Sequence, residues 1–217
     1  KQALTDGLAK YPTGNICDAM DALGMSRGAV IGLSPLTPNQ KRIAGFAVTI
    51  QQMRRRPPQD GRVLGKHGAV VDEIAQPGDI VVVEASQITS ASTLGGLQAL
   101  RAHARGIAGL VVNGLIRDAA EIAKLGLPVY SLGFLPVRSV QDVETTGINV
   151  PVSVGQVQIN PGDVIVMDDT GVVVIPIERA QEVLAKAAAI ASRETKISEL
   201  IKQGHSLAEA FALPKST

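Results

Sequence analysis

Tryptophan is absent, and two tyrosines and three phenylalanines are the whole aromatic content. A chain so poor in rings offers no stacking platform for nucleic-acid bases. Its core must come from valine, isoleucine, leucine and alanine, since 45% of the 217 residues are hydrophobic but only 2% aromatic. Cysteine occurs once, at Cys17, which excludes an internal disulfide and a thiolate metal cluster. Free cysteine is most often a small buried hydrophobe, and Cys17 is expected to pack so on a helix around Asp18, the alternative being a reactive thiol. Neither sign of charge dominates: 21 basic and 20 acidic residues leave a net charge of +1. That balance supports neither a nucleic-acid partner nor a membrane surface. No run approaches the ~18 apolar residues of a membrane helix, and no signal peptide is visible, so a cytoplasmic location is expected.

What is present reads as one α/β domain, a length that allows a substantial core. Residues 2–10 look helical, and Thr13 or Asn15 is placed to cap a second helix running to Leu23 and stopped by Gly24. Residues 25–41, rich in glycine, proline and serine, read as an irregular connection, and 43–53 as a strand. The run Arg54-Arg55-Arg56-Pro57-Pro58 that follows reads as a solvated loop. Pro77-Gly78-Asp79 and Pro161-Gly162-Asp163 are equivalent turns, each leading into an apolar strand. Between them, helices over 97–104 and 118–125 alternate with strands over 107–112 and 128–131, as parallel strands with right-handed crossovers require. Short strands over 150–176 suggest an antiparallel meander. A long helix over 178–203 ends at Gly204, with a last short helix over 207–211, so that 178–213 forms a C-terminal helical segment. The predicted architecture is a layered β/β/α sandwich.

Several chemistries find no support. Neither the dinucleotide glycine pattern G-x-G-x-x-G nor the phosphate loop G-x-x-x-x-G-K-[ST] occurs. There is no G-x-S-x-G nucleophile elbow. His67, His103 and His205 are scattered, with no pair spaced for zinc. Ser90, Ser92 and Thr93 precede a glycine pair and read as caps of the helix beyond it.

The chemistry concentrates between Gly95 and Asp118. Gly95-Gly96 opens a helix whose bare N–H groups can receive an anion. Arg117-Asp118 follows a buried strand directly, where α/β folds place reactive side chains. Arginine offers a fork matching a carboxylate or enolate, and aspartate is a hard oxygen ligand suited to Mg²⁺. Spacing alone leaves open a second role for Asp118, as N-cap of the helix it precedes.

The order Gly95-Gly96-Leu97, Gly106-Ile107-Ala108-Gly109-Leu110-Val111-Val112-Asn113-Gly114, Arg117-Asp118 and Pro128-Val129-Tyr130-Ser131 resembles the RraA-like family. Asp18-Ala19, Gly45-Phe46-Ala47-Val48-Thr49, both Pro-Gly-Asp turns and Asp168-Asp169-Thr170-Gly171-Val172 extend the likeness over most of the chain. The resemblance implies one RraA-like domain over residues 1–217, a sandwich similar to the phosphohistidine swivelling domain, assembled as homotrimers or hexamers. It further implies a metal-dependent aldolase or decarboxylase that acts on small keto acids, of the 4-hydroxy-4-methyl-2-oxoglutarate aldolase and oxaloacetate decarboxylase type. Asp118 would then hold Mg²⁺ or Mn²⁺, and Arg117 would contact the keto or enolate oxygen. The Gly95-Gly96 turn with the amides of Leu97 and Gln98 would receive the substrate carboxylate, and Glu194 would reach a neighbouring subunit's site. Two positions depart from the aldolase pattern: Gly96 stands where an acid is common, and Asn113 where aspartate is usual. The family also contains a non-catalytic regulator that acts by protein contact, which is the alternative reading.

Overall fold

The computed structural model describes residues 2–56 and 65–212. Pro57 and Pro58 of the basic run, and residue 213 of the C-terminal segment, lie outside these. The chain begins with helices α1 (Gln2–Leu8) and α2 (Thr13–Ala22), then strands β1 (Ala29–Val30), β2 (Ser34–Pro35) and β3 (Ile43–Arg54). A short helix, α3 (His67–Ala69), continues as a wider turn over Val70–Ile74 and leads to β4 (Ile80–Glu84). The crossover section follows: α4 (Gly96–Ala104), β5 (Gly109–Ile116), α5 (Ala119–Lys124) and β6 (Val129–Phe134). Then come β7 (Val143–Ile148), β8 (Val152–Val154), β9 (Val157–Ile159), β10 (Val164–Met167), β11 (Val172–Ile175), α6 (Ala180–Lys202) and α7 (Leu207–Phe211).

The main sheet has the order β1-β11-β10-β3-β4-β5-β6-β2, with β7 also on β3, and β8 and β9 form a separate hairpin. The pairs β3–β4, β4–β5 and β5–β6 are parallel, as the helix–strand alternation predicts, and the flanking pairs are antiparallel. Twelve-residue β3 joins these halves: Ile43–Phe46 pair with β10, Ala47–Gln51 with β4, and Ile50–Arg54 with β7. The meander expected over 150–176 is thus split between the hairpin and the main sheet. Strand β7 was not visible in the sequence, because its VETTGI has only scattered apolar positions and is largely half-exposed.

Alternation along the strands builds the layers. In β4, Val81 and Val83 face a helix layer with Ala99, Ala102 and Ile122, whereas Ile80 and Val82 face inward with Val111, Val152 and Ile159. In β10, Ile165 and Met167 join that inner core, while Val164 and Val166 pack against Ile16, Met20, Val183 and Ala187 of α2 and α6. Strands buried on both faces read as continuous β-branched runs, which the aromatic-poor composition supplies. This is the layered α/β fold that the sequence implied. Among the described residues no helix is long and apolar enough to cross a membrane.

Both Pro-Gly-Asp turns use one device. Gly78 and Gly162 take φ of 90° and 87°, and the aspartate carboxylates accept the N–H of Gln76 and Asn160 respectively, each at 2.8 Å. The start of α2 departs from expectation. Thr13 lies inside the helix, and Asn15 turns its amide to Glu194. The carboxylate of Asp168 takes the capping role, accepting the Thr13 N–H at 3.0 Å and its hydroxyl at 2.8 Å. Proline at position 12 has no side-chain oxygen to offer, so the acceptor comes from the β10–β11 turn.

Candidate active site

The end of β5 and the start of α4 are bound side by side. Ile116 pairs with Leu94, and the Arg117 N–H donates to the Leu94 carbonyl at 3.0 Å. This sets Arg117-Asp118 directly against Gly95-Gly96. Asp118 occupies the capping position of α5 but makes no side-chain cap bond; its backbone is left-handed, φ 60° and ψ 40°. Its carboxylate turns instead to α4, where Oδ2 accepts the Gly96 N–H at 2.9 Å and lies 3.6 Å from Arg117 Nε. The capping alternative left open by spacing is thereby replaced by a contact between two helix starts.

The two glycines are a steric consequence of that contact. A Cβ on Gly95 would stand 3.0 Å from Arg117 Nε and 3.2 Å from Asp118 Oδ2. A Cβ on Gly96 would stand 3.2 Å from Asp118 Cβ. Gln98 Oε1 accepts the Gly95 N–H, and the Gln98 N–H donates to the Gly95 carbonyl. Of the two amides expected to meet a substrate carboxylate, Leu97 N–H alone has no partner among the described residues. Leu97 itself is 83% exposed.

A pocket of about 230 Å³ opens at this point, lined in part by Gly95, Leu97, Gln98, Arg117, Arg138 and Ser139. Asp118 and Gly96 stand beside it, outside its lining. The Arg117 and Asp118 side chains are 39% and 41% exposed, so both are open to a ligand. Oδ1 of Asp118 accepts no hydrogen bond among the described residues. Among the described residues, no group of three or more His, Cys, Asp or Glu is placed to hold a metal. One free carboxylate oxygen at an open edge fits a hard ion that keeps most of its water, as Mg²⁺ does, and does not fit tetrahedral zinc.

Nothing in the sequence marks Arg138, which stands there as one cation in a proline-containing loop. Ser92 brings it to the pocket. Rather than capping α4, Ser92 donates both its N–H, at 2.8 Å, and its hydroxyl, at 2.7 Å, to the Val137 carbonyl, and it pairs with Arg138. Thr93 likewise does not cap the helix; its N–H donates to Leu115 at 2.7 Å.

Other candidates lie apart. Glu194 accepts from Asn15 Nδ2 at 2.6 Å and lines a separate groove of about 520 Å³ with Asp18, Ile197, Leu207 and Phe211. Within one chain that groove shares no lining residue with the Arg117 pocket. Asn113 donates its amide to the buried Glu84 carboxylate, which also accepts the Ser86 N–H at 3.0 Å. An aspartate at 113 would set two buried carboxylates face to face, which accounts for the asparagine. Cys17 is partly buried, and burial raises its thiol pKa, which disfavours the reactive thiolate. Arg55 of the basic run is buried at 8% exposure, against the expectation of a solvated loop, and its backbone N–H donates to the Asp142 carbonyl.

A family model described as RraA-like (Aldolase/RraA) matches residues 13–174. A Halalkalibacterium halodurans protein provisionally named a 4-hydroxy-4-methyl-2-oxoglutarate aldolase is 34% identical over 86% of this chain and 84% of its own length. The protein DlpA of Legionella pneumophila is 34% identical over 95% of this chain, which spans only 33% of DlpA. Among solved structures, Streptomyces coelicolor RraAS2, described as an unusual member of the RNase ES inhibitor RraA family, is 32% identical. It superposes with a TM-score of 0.79, covering 90% of this chain and 95% of that one. Motif order, layered sheet and matched relatives agree, and the chain belongs to the RraA-like family.

Proposed function

We propose that this protein is a divalent-metal-dependent carbon–carbon lyase that releases pyruvate from small 2-keto acids, by retro-aldol cleavage or by decarboxylation. The observation that carries the reading is the Arg117–Asp118 pair seated on Gly95-Gly96, with one carboxylate oxygen free beside a pocket lined by Arg117. Asp118 would hold Mg²⁺ or Mn²⁺ together with water, and the ion when bound supplies Lewis-acid polarisation of the 2-keto group. The free Leu97 N–H at the start of α4 receives the 1-carboxylate. Arg117 donates to the keto oxygen and to the enolate charge that grows on it. In the retro-aldol direction the C3–C4 bond breaks, the 4-hydroxyl loses its proton, and its carbon becomes a second carbonyl. The electron pair passes to C3, which is protonated to give pyruvate. Homotrimers or hexamers, with Glu194 brought to a neighbour's site, complete the proposal.

The second reading, a binder acting by protein contact, draws on the likeness to RraAS2. It assigns no task to a free Asp118 oxygen beside an arginine-lined pocket. Pyruvate release from oxaloacetate and from 4-hydroxy-4-methyl-2-oxoglutarate, with Mg²⁺ or Mn²⁺ and then with EDTA, separates the two. Metal-dependent release supports the lyase. Release from neither substrate with either metal present overturns it.

A further inference from the structure

The pocket that Arg117 lines is also lined by a second arginine with no established task. Arg138 stands in the loop after β6, is exposed, and makes no ion pair among the described residues. Its placement is nonetheless built. Ser92 holds the preceding carbonyl through two hydrogen bonds, and the Leu135 N–H donates to the Ile116 carbonyl at 2.9 Å, one residue before Arg117. Both arginines are therefore referred to the same backbone frame, the end of β5 and the approach to α4. Ser139, beside Arg138, adds a hydroxyl to the same lining.

A pocket of about 230 Å³ lined by two arginines and by Leu97, whose N–H is free, offers more cationic groups than one carboxylate needs. We infer that Arg138 is a specificity-determining residue that binds the second acid group of a dianionic 2-keto acid, while Arg117 and the start of α4 hold its 2-keto-acid end. The inference rests on the lyase reading for the role of Arg117. It also has a kinetic consequence. In oxaloacetate the second carboxylate is the group that leaves: the C3–C4 bond breaks, CO₂ departs, and its bonding pair enters the enolate that water protonates. A guanidinium on that carboxylate stabilises charge that disappears in the transition state, so it tightens binding without speeding CO₂ loss. In a 4-hydroxy-2-oxo diacid the second carboxylate survives cleavage, and the same contact holds through the reaction.

The test uses calorimetric binding of 2-oxoglutarate, a dianion, and 2-oxobutyrate, a monoanion, to the full chain with Mg²⁺. Loss of a charged hydrogen bond typically corresponds to roughly a ten- to hundredfold change in affinity. The parent should prefer the dianion at least tenfold, Arg138→Leu should erase the preference, and Arg138→Lys, keeping charge but not the fork, should retain part of it. With oxaloacetate, Arg138→Leu should raise KM without lowering kcat. Equal affinity for the two acids in the parent overturns the inference. So does a preference that survives in Arg138→Leu, or a loss of kcat at constant KM, which would mark Arg138 as a support of the loop. A parent that shows the preference yet releases no pyruvate supports the Arg138 assignment and overturns the lyase reading alone.

Discussion

Asp118 adopts a left-handed backbone, φ 60°, which a short polar side chain tolerates better than most residues do. The variant that isolates its charge is accordingly Asp118→Asn, which keeps shape and conformation. It should fold normally and lose both Mg²⁺ stimulation and keto-acid turnover, read by pyruvate release across a metal titration. Arg117→Lys should still bind metal but turn over about 10²–10³-fold more slowly, as when one donor to a developing oxyanion is lost. Near-parental rates in both variants would remove the site assignment. Gly96 gives a finer test. A Cβ there stands 3.4 Å from Asp118 Oδ2, so Gly96→Asp forces a second carboxylate against the first. The variant should fold, with Asp118 yielding by a few tenths of an ångström. It should raise the ratio of retro-aldol cleavage to decarboxylation, because a positioned proton-transfer group typically contributes ~10²–10⁴-fold. An unchanged ratio would mean that the missing acid is no functional loss.

Among the elements, α2 depends on a residue 155 positions away. Burial raises the Asp168 pKa. The N–H groups of Thr13 and Thr170, the Thr13 hydroxyl and Arg42 outweigh that and hold it below the usual carboxylate range. Asp168→Ala strands those donors and should cost about 2–4 kcal/mol, measured by urea denaturation. The packing of α3 on β3 has its own acid limit. His67 is buried, its Nδ1 lies 3.1 Å from Gln52 Nε2, and its Nε2 has no partner among the described residues. Burial lowers its pKa to about 4. The unfolded chain, with an imidazole near pKa ~6.5, takes the proton first. Stability from neutral His67 is therefore complete above about pH 6.5 and lost as pH falls toward 4, by at most about 3 kcal/mol. In His67→Gln the slope of the denaturation midpoint over that window should flatten. A slope equal to the parent's would assign the acid sensitivity elsewhere.

For the molecule as a whole, Leu97, Phe134 and Val137 are 83%, 60% and 47% exposed, and all three belong to the elements around the arginine pocket. Glu194, on α6, lines a different groove of the same chain. The proposed homotrimer or hexamer would cover such an apolar rim and let one subunit's Glu194 serve another's site. Sedimentation at micromolar concentration should show a homotrimer or hexamer, and Glu194→Gln should slow turnover while leaving the assembly intact. A monomer that is fully active would refute both the assembly and the shared acid.

The parallel core was legible in sequence because its causes are local: β-branched runs behind Pro-Gly turns, glycines after α2 and α6, and alternation of strand with helix. The position of Arg117 and Asp118, directly after a buried run, is legible for the same reason. What no window of sequence contains is contact between distant segments. Whether Asp118 caps its own helix or reaches α4 depends on the Leu94–Ile116 pairing. The true cap of α2 comes from the β10–β11 turn, and β7 is a strand because β3 offers it an open edge. Arg138 joins the pocket through Ser92, 46 positions earlier, bonded to the Val137 carbonyl, and through the Leu135 N–H on the Ile116 carbonyl. Propensity and hydrophobic period act over a few residues and so determine the elements. Side-chain partners across the fold satisfy buried donors and acceptors wherever tertiary packing leaves them, and that geometry alone decided which cations and amides line one pocket with the Asp118 carboxylate beside it.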